Sequence, residues 1–427
     1  MAIPRVIIVG GGFGGLYAAR ELSGTPVQVT LIDKRNYHLF RPMLYQVATG
    51  LLSPDEIAAP LRTILSDQRN VDVLMDEVVG VDAPNRLVRL KDRALPYDFL
   101  ILSTGIHYNY FGHDEWSQIA TPLESLEGAD IIRTKVLAAL ERAENLAASG
   151  NAPADEIQRQ LTFALVGGGT VGVEMAGTLA EMFHMALKRD FRHIDPRSAR
   201  ILLYEAGPRL LATYREDLSR DAQRHLEGLG VEVHANTRVT AIDGSGLVAG
   251  GQTIPAATVI WGAGVVASPA AKWLGVASDA SGKIIASPDL SVPGYPEIFA
   301  IGDTAHVVAP SRNLIGMPSR EPMVLPGVAQ PAIQEGRYVA RLIRSRVTHG
   351  PAPAPFWYWD KGDLAIVGRT YAVADLRFAR FAGFPAWFVW AVVHIYFLIG
   401  FANRLFVLLE WAVVFATKRR RGQVLDQ

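Results

Sequence analysis

Apolar residues fall in short, β-branched runs that alternate with longer segments of mixed pattern. Residues 5–9 (RVIIV) and 28–32 (QVTLI) are runs of the kind that form strands buried on both faces, with a helix predicted at about 14–23 between them. Runs at 99–103, 161–166, 201–204, 258–261 and 297–301 repeat the strand signature. Residues 128–148 read as a helix, 149–155 as a polar linker, and 330–347 as a second helix with Gln330 as its cap and Pro331 in its first position. Alternating strands and helices predict an α/β fold with parallel sheets.

The last stretch has a different pattern. From Pro385 to Ala402 there are 18 almost uninterrupted apolar residues, then Asn403-Arg404, then 12 more at 405–416, then Lys418-Arg419-Arg420-Arg421. Trp387, Trp390, Trp411 and several phenylalanines fall within it. The first run barely reaches spanning length and the second is too short. With almost no polar face left for water, the pattern predicts amphipathic, aromatic-rich helices lying in one leaflet, with the basic cluster against headgroups. A single span with a basic tail, and a buried hairpin or homodimer interface, are the alternatives. His394, inside the run, reads as a satisfied side chain.

Two glycine motifs stand on the strands. The first, Gly10-Gly11-Gly12-Phe13-Gly14-Gly15, follows the 5–9 run, and Asp33 ends the next strand 23 residues after Gly10. The second, Gly167-Gly168-Gly169-Thr170-Val171-Gly172, follows 161–166, and Glu205 comes 38 residues after Gly167. In G-x-G-x-x-G the first glycine makes the tight turn, the second admits a pyrophosphate to the backbone, and the third lets the helix close on the strand. The helix N-terminus then faces the phosphate, and the acid accepts from a ribose diol. The longer second crossover is accounted for by residues 182–188 and a loop at 193–196. An acid at position 205 repels a 2′-phosphate, which favours NADH over NADPH. Two such sites imply two dinucleotides and electron transfer between them.

The order of elements makes the second unit an insertion. The 297–303 segment reads as a strand returning to the sheet that begins at Arg5, so two Rossmann-like dinucleotide-binding domains are expected, one nested in the other. Lys plus Arg and Asp plus Glu both number 42, so no net charge draws the chain to nucleic acid. The chain has no cysteine, which excludes disulfides, thiolate metal sites and a redox-active dithiol. No metal site is expected. With the first strand starting by Arg5, the sequence leaves no room for a signal peptide and suits a cytoplasm-facing enzyme.

Taken in order, these motifs resemble the type II NADH dehydrogenases, single-subunit flavoproteins that pass electrons from NADH to membrane quinone. The resemblance rests on both glycine motifs, Asn36 to Gly50, Ser103-Thr104-Gly105, Trp261-Gly-Ala-Gly264, Ile301-Gly-Asp303, Ala329-Gln330-Pro331-Ala-Ile-Gln334 and the aromatic tail. It implies an FAD-binding domain from residues 1–120 and 285–345, an NADH-binding domain at 155–275, and a membrane-anchoring region at 350–427. It implies FAD against Gly10, Gly12, Phe13, Gly14, Gly15, Asp33, Lys34, Pro42, Thr104, Gly105, Asp303, Ala329 and Gln330. NADH is implied against Gly167, Gly169, Thr170, Val171, Gly172, Glu174, Glu205 and Gly264. Glu174, Gln330, Gln334 and Lys361 are the implied catalytic set: Glu174 near the nicotinamide, the two glutamines and Lys361 near the quinone. Glu174 either moves a proton or holds the nicotinamide amide. His38 and Tyr45 read as packing against the cofactor. Trp261-Gly-Ala-Gly departs from the commoner Trp-Thr-Ala-Gly and leaves the backbone role intact.

The resemblance further implies a peripheral enzyme on the cytoplasmic face of the membrane, with NADH, quinone and the bilayer surface as partners and no proton pumping. Sulfide:quinone reductases share the outline but need cysteines. Ferredoxin reductases have no reason for the aromatic tail. A flavoprotein with a signalling or scaffolding role is the reading from another class, and turnover with quinone separates it.

Overall fold

The computed structural model describes residues 3–187, 190–319, 321–417 and 424–425. The chain forms two compact units: Met1–Leu39, Ala58–His107 and Val265–Lys361 in one, and Phe40–Ile57, Tyr108–Gly264 and Gly362–Gln427 in the other.

The first unit is built on a six-stranded sheet in the order Ser291–Val292, Tyr295–Ala300, Phe99–Leu102, Arg5–Val9, Gln28–Asp33, Val71–Met75. Val6 to Val9 pair in parallel with Val29 to Ile32 on one side and with Phe99 to Leu102 on the other. The strand Tyr295–Ala300 joins beyond, with Ile298 opposite Leu100, so the chain does return to its first sheet. Val6, Ile7, Ile8 and Leu100 to Leu102 are buried, as a central parallel strand requires. The helix Phe13–Glu21 packs on the helix Ala329–Thr348, and their approach is set by glycine: a Cβ on Gly336 would stand 2.3 Å from the Gly14 carbonyl oxygen.

That second helix starts earlier than the sequence suggests. Its cap is Val328, and Gln330 and Pro331 are its second and third residues, not cap and first. Proline is tolerated there because the N–H groups of the first turn have no intrahelical acceptor.

The second unit has a five-stranded parallel sheet in the order Ala120–Pro122, Thr258–Trp261, Thr162–Val166, Arg200–Tyr204, Val231–His234. The helix Thr170–Glu181 follows the central strand and runs on as one π-helical turn, Met182–Ala186. This turn and the 3₁₀ turn Pro196–Ser198 supply the long crossover before Glu205.

The segment 40–57 and the tail belong to this unit, where the sequence put the former within 1–120 and the latter in a region of its own at 350–427. The short helix Leu44–Ala48 packs on the helix Leu126–Ser149, a contact between residues too distant in sequence for any local pattern to reveal. A three-stranded antiparallel sheet, Asp363–Ile366, Ala372–Asp375 and Arg380–Gly383, leads into the helices Phe384–Phe397 and Phe401–Thr417.

The break between the tail helices falls at 398–400 and not at Asn403-Arg404. Gly400 has φ +94°, and Arg404 turns back so that its guanidinium donates to the carbonyls of Leu398 (2.7 Å) and Tyr396 (2.9 Å). Those carbonyls end the first helix and have no intrahelical donor. Among the described residues no helix is long and apolar enough to cross a membrane. The basic cluster Lys418 to Arg421 lies outside the described residues.

Candidate functional site

In the first unit the glycines of the loop divide into two kinds. Gly10 has φ +103° and a Cβ there would meet the Ser103 carbonyl oxygen at 2.2 Å, while a Cβ on Gly15 would meet the Gly10 oxygen at 1.9 Å. These two are demanded by packing. A Cβ on Gly12 would meet nothing within 4 Å, although Gly12 is the N-cap of the helix. The loop is therefore tight where it touches protein and bare where the helix N-terminus faces outward.

Asp33 closes this loop. Its Oδ2 accepts the Gly11 N–H at 2.6 Å and its Oδ1 the Arg35 N–H at 2.8 Å. Phe13 stands edge-on to His38 at 4.9 Å, and His38 Nδ1 lies 2.9 Å from the Gly11 carbonyl oxygen. Burial pushes the His38 imidazole down to about 4, so the ring is neutral. Facing a carbonyl, Nδ1 carries the proton, and Nε2 is left a buried acceptor with no partner.

Thr104, Gly105 and Asp303 come together at the ends of adjacent strands. The Thr104 hydroxyl pairs with the hydroxyls of Ser268 and Thr304, and Gly105 N–H donates to Thr304 Oγ1 at 3.0 Å. The helix beginning at Ala329 brings Gln330, whose side-chain oxygen is buried without a partner among the described residues. One turn on, Gln334 is fully committed: its oxygen accepts the Trp359 N–H at 2.8 Å and its nitrogen donates to the Trp359 carbonyl at 3.0 Å. It thus holds the strand Tyr358–Asp360, and the Lys361 ammonium after it lies 5.0 Å from the Trp359 ring. Burial, then the Arg337 charge, lowers the Lys361 pKa. Lys34 is turned to Glu77, at 2.7 Å on an exposed surface, and Pro42 belongs to the other unit.

The second unit repeats the first loop almost bond for bond. Gly10 N–H donates to Ile32 and Gly167 N–H to Tyr204, each at 2.8 Å. Glu205 Oε2 accepts from Gly168 at 2.6 Å as Asp33 does from Gly11, and its Oε1 accepts from Gly207 at 2.6 Å. Gly167 has φ +112° with backbone at 2.7 Å from a Cβ, and Gly172 would clash with the Gly167 oxygen at 1.9 Å. Gly169, like Gly12, meets nothing. Thr170 and Val171 open the helix.

Two turns into the loop-helix segment stands Glu174. It is buried, its one backbone donor is Ile366 N–H at 3.5 Å, and burial raises its pKa well above the usual carboxylate range. Burial thus disfavours its charged form. Gly264 has φ +65° and lies beneath Phe111, whose ring would be 2.4 Å from a Cβ.

Residues 4–336 match the pyridine nucleotide-disulphide oxidoreductase family. The chain is 39% identical over 98% of its length, and 89% of the relative's, to the type II NADH:quinone oxidoreductase Ndh of Mycobacterium tuberculosis. It is 40% identical to NdhA of the same organism, over 98% of the chain and 88% of the relative. The chain belongs to the type II NADH:quinone oxidoreductases. The fold agrees: a Plasmodium falciparum NDH2 solved with NADH superposes with a TM-score of 0.85 at 21% identity, covering 98% of this chain and 99% of that one. The Aquifex aeolicus sulfide:quinone oxidoreductase gives 0.69 at 19% identity, over 97% and 96%. This type II oxidoreductase carries no cysteine, so the disulphide chemistry in the broader family's name has no residues here.

Three residues of the enzyme escape sequence reasoning. Glu335 is buried on the helix Ala329–Thr348 and accepts the Gly302 N–H at 2.5 Å; burial, with Asp303 adding to it, pushes its pKa up to about 8. A charged residue on the apolar stripe of that helix was the available signal. Thr304, directly after Gly302-Asp303, anchors Thr104 and Gly105. Arg369, in the turn before the strand Ala372–Asp375, has no sequence signal at all.

Proposed function

We propose that this enzyme transfers a hydride from NADH to bound FAD and then two electrons to a quinone at the membrane surface, without pumping protons. Each unit is read as a Rossmann-like dinucleotide-binding domain, the second inserted in the first, with the tail helices as the membrane-binding region. The observation that carries the reading is the duplicated loop, with its middle glycine bare in both copies. Packing explains Gly10, Gly15, Gly167 and Gly172; only a ligand's approach explains why Gly12 and Gly169 lack side chains where space is open.

In the first unit the residues fit FAD. The helix N-terminus at Phe13-Gly14 offers N–H groups and a favourable dipole to a pyrophosphate, and Asp33 is left with lone pairs for a ribose. Thr104, Gly105, Asp303, Ala329 and Gln330 are assigned to the rest of the cofactor. The orphaned Gln330 oxygen supports this, because a buried acceptor without a donor costs about 1–3 kcal/mol unless a ligand supplies one. Lys34, committed to Glu77, and Pro42, in the other unit, receive no support from the geometry.

In the second unit Gly167, Gly169, Thr170, Val171 and Gly172 are assigned to NADH, with Glu205 excluding a 2′-phosphate by charge. Glu174, buried beside the start of this helix with its charged form disfavoured, is assigned to hold the nicotinamide amide. Gln334 acts as a positioning residue: its amide is spent on Trp359 and so fixes the segment that carries Lys361 toward the quinone.

The tail supports peripheral attachment. Phe384, Phe388, Tyr396, Phe401, Phe406 and Leu409 are exposed, a face that water disfavours. Its aromatic content suits the bilayer interface better than a second copy of the chain, so lipid is assigned to it, on the cytoplasmic side where NADH is held. A short tail that does not cross gives no path for protons. NADH oxidation by the FAD-loaded protein with a short-chain quinone tests the reading. We expect quinone reduced one for one with NADH, and much slower turnover with NADPH. Electron delivery to protein carriers with no quinone reduction would overturn it, and a gradient built by the protein alone in sealed vesicles would overturn the absence of pumping.

A further inference from the structure

A small cavity of about 60 Å³ lies within the second unit, lined by the tail helices and by Glu181 and Arg369. Its wall is largely apolar, with Trp387, Trp390, Trp411 and Phe415 contributed by the tail helices. Its polar groups are unusual. Arg369 Nε and Nη1 are buried and have no hydrogen-bond partner among the described residues, and neither has Trp390 Nε1. The Trp411 N–H, by contrast, is used on Gln46 Oε1 at 2.8 Å.

The arginine is held in place. Its backbone N–H donates to Glu181 Oε1 at 2.6 Å, next to Gly368 at φ +85°, and its guanidinium lies 4.9 Å from the Phe415 ring. A cation over an aromatic face gains attraction, but a ring gives its N–H groups no acceptor. Three buried donors, two of them on a permanently charged guanidinium, therefore stand at this cavity without an acceptor among the described residues; the Glu181 carboxylate in the wall takes the Arg369 backbone N–H instead.

A ligand that completes this site carries anionic oxygens on an apolar body. A neutral carbonyl compound would satisfy one donor but would not give the guanidinium a charge-assisted acceptor. A free inorganic anion would meet aromatic walls and the Glu181 carboxylate with no apolar surface to offset either. We propose that the cavity receives the headgroup phosphate of an anionic phospholipid, bound by Arg369 and Trp390, with its acyl chains leaving past Phe415. Phe415 lines the cavity and is itself 49% exposed, so the exit is onto the apolar face of the tail. The proposal draws on the membrane reading only for the source of the lipid, and it is independent of the electron-transfer chemistry.

The test uses FAD-loaded protein in neutral detergent micelles, titrated with brominated-chain phosphatidylglycerol or phosphatidylcholine while tryptophan fluorescence is followed. Bromine on a bound chain quenches Trp387, Trp390 and Trp411, which line the cavity. We expect saturable quenching with a preference for phosphatidylglycerol of about tenfold, from one charge-assisted pair. Arg369→Gln should abolish that preference and Arg369→Lys keep part of it, with no competition from inorganic phosphate. Because no turnover is read, failure here leaves the NADH and quinone assignments untouched. Equal quenching by the two lipids, an unchanged preference in Arg369→Gln, or displacement by inorganic phosphate would each overturn the proposal. The unplaced basic cluster is common to all variants, so a preference due to it alone would survive Arg369→Gln. Should that variant lose its flavin or its fold, Trp390→Phe decides: a several-fold weaker phosphatidylglycerol affinity supports the site, and an unchanged one removes it.

Discussion

Gly12 and Gly15 are three residues apart and answer to different forces. Adding a methyl to Gly15 drives it into a carbonyl oxygen at 1.9 Å, whereas at Gly12 it enters open space. Gly15→Ala should therefore cost ~3 kcal/mol or more in stability, and Gly12→Ala no more than about 1 kcal/mol while weakening flavin retention. The same contrast holds in the second loop: Gly169→Ala should keep its flavin and raise the KM for NADH, and Gly172→Ala should unfold. Melting temperatures and flavin content check both, and loss of flavin in Gly169→Ala would break the assignment of the loops. The glycine spacing was readable because each position obeys a local rule. The same rule singled out the middle glycine as the open one; which atoms crowd the outer glycines, such as Ser103 and Gly262, was not readable, because only the folded sheets bring them near.

Glu335 belongs to this scale too. Its pKa is raised from an ordinary 4.5 to about 8, so between those values the folded state holds a proton that the unfolded chain has released. Stability from this group is therefore complete below the lower value and lost as pH rises through the window, by up to about tenfold in the folding constant per unit. Glu335→Gln should flatten that fall and be the more stable protein at the alkaline end. Parallel urea midpoints for the two proteins across the window would contradict the assignment.

At the scale of elements, the tail is where pattern and structure differ most instructively. Hydropathy announced two apolar segments, but the break moved to Gly400 because a side chain, Arg404, caps the first helix from inside the second. Sequence hydrophobicity also treats the tail as uniform, yet Trp390 and Val407 are buried in the unit while Phe388 and Phe401 are 58% and 82% exposed. Deleting 384–427 would strip core residues together with the exposed apolar face proposed to meet lipid. The cleaner variant is Phe388→Glu with Phe401→Glu, each removing ~2 kcal/mol of apolar burial in lipid. We expect this protein to leave the membrane fraction and keep NADH-to-ferricyanide activity; continued membrane binding would remove the tail from its assigned role.

Across the whole molecule, the return of the chain to its first sheet was legible because the 297–301 run carries a strand signature after the second glycine unit has closed. The grouping of 40–57 with the second unit was not, since it depends on packing against a helix about 80 residues away. Two units, two glycine loops and two acids make one claim: the first loop serves a flavin that the second loop's NADH reduces and a quinone reoxidises. Sequential-mixing stopped-flow absorbance of the purified protein tests it most directly, with NADH first and quinone second. The account predicts fast bleaching of the flavin band by NADH, much slower bleaching by NADPH, and full recovery on adding quinone. Bleaching that quinone does not reverse, or equal rates with the two nucleotides, would contradict it.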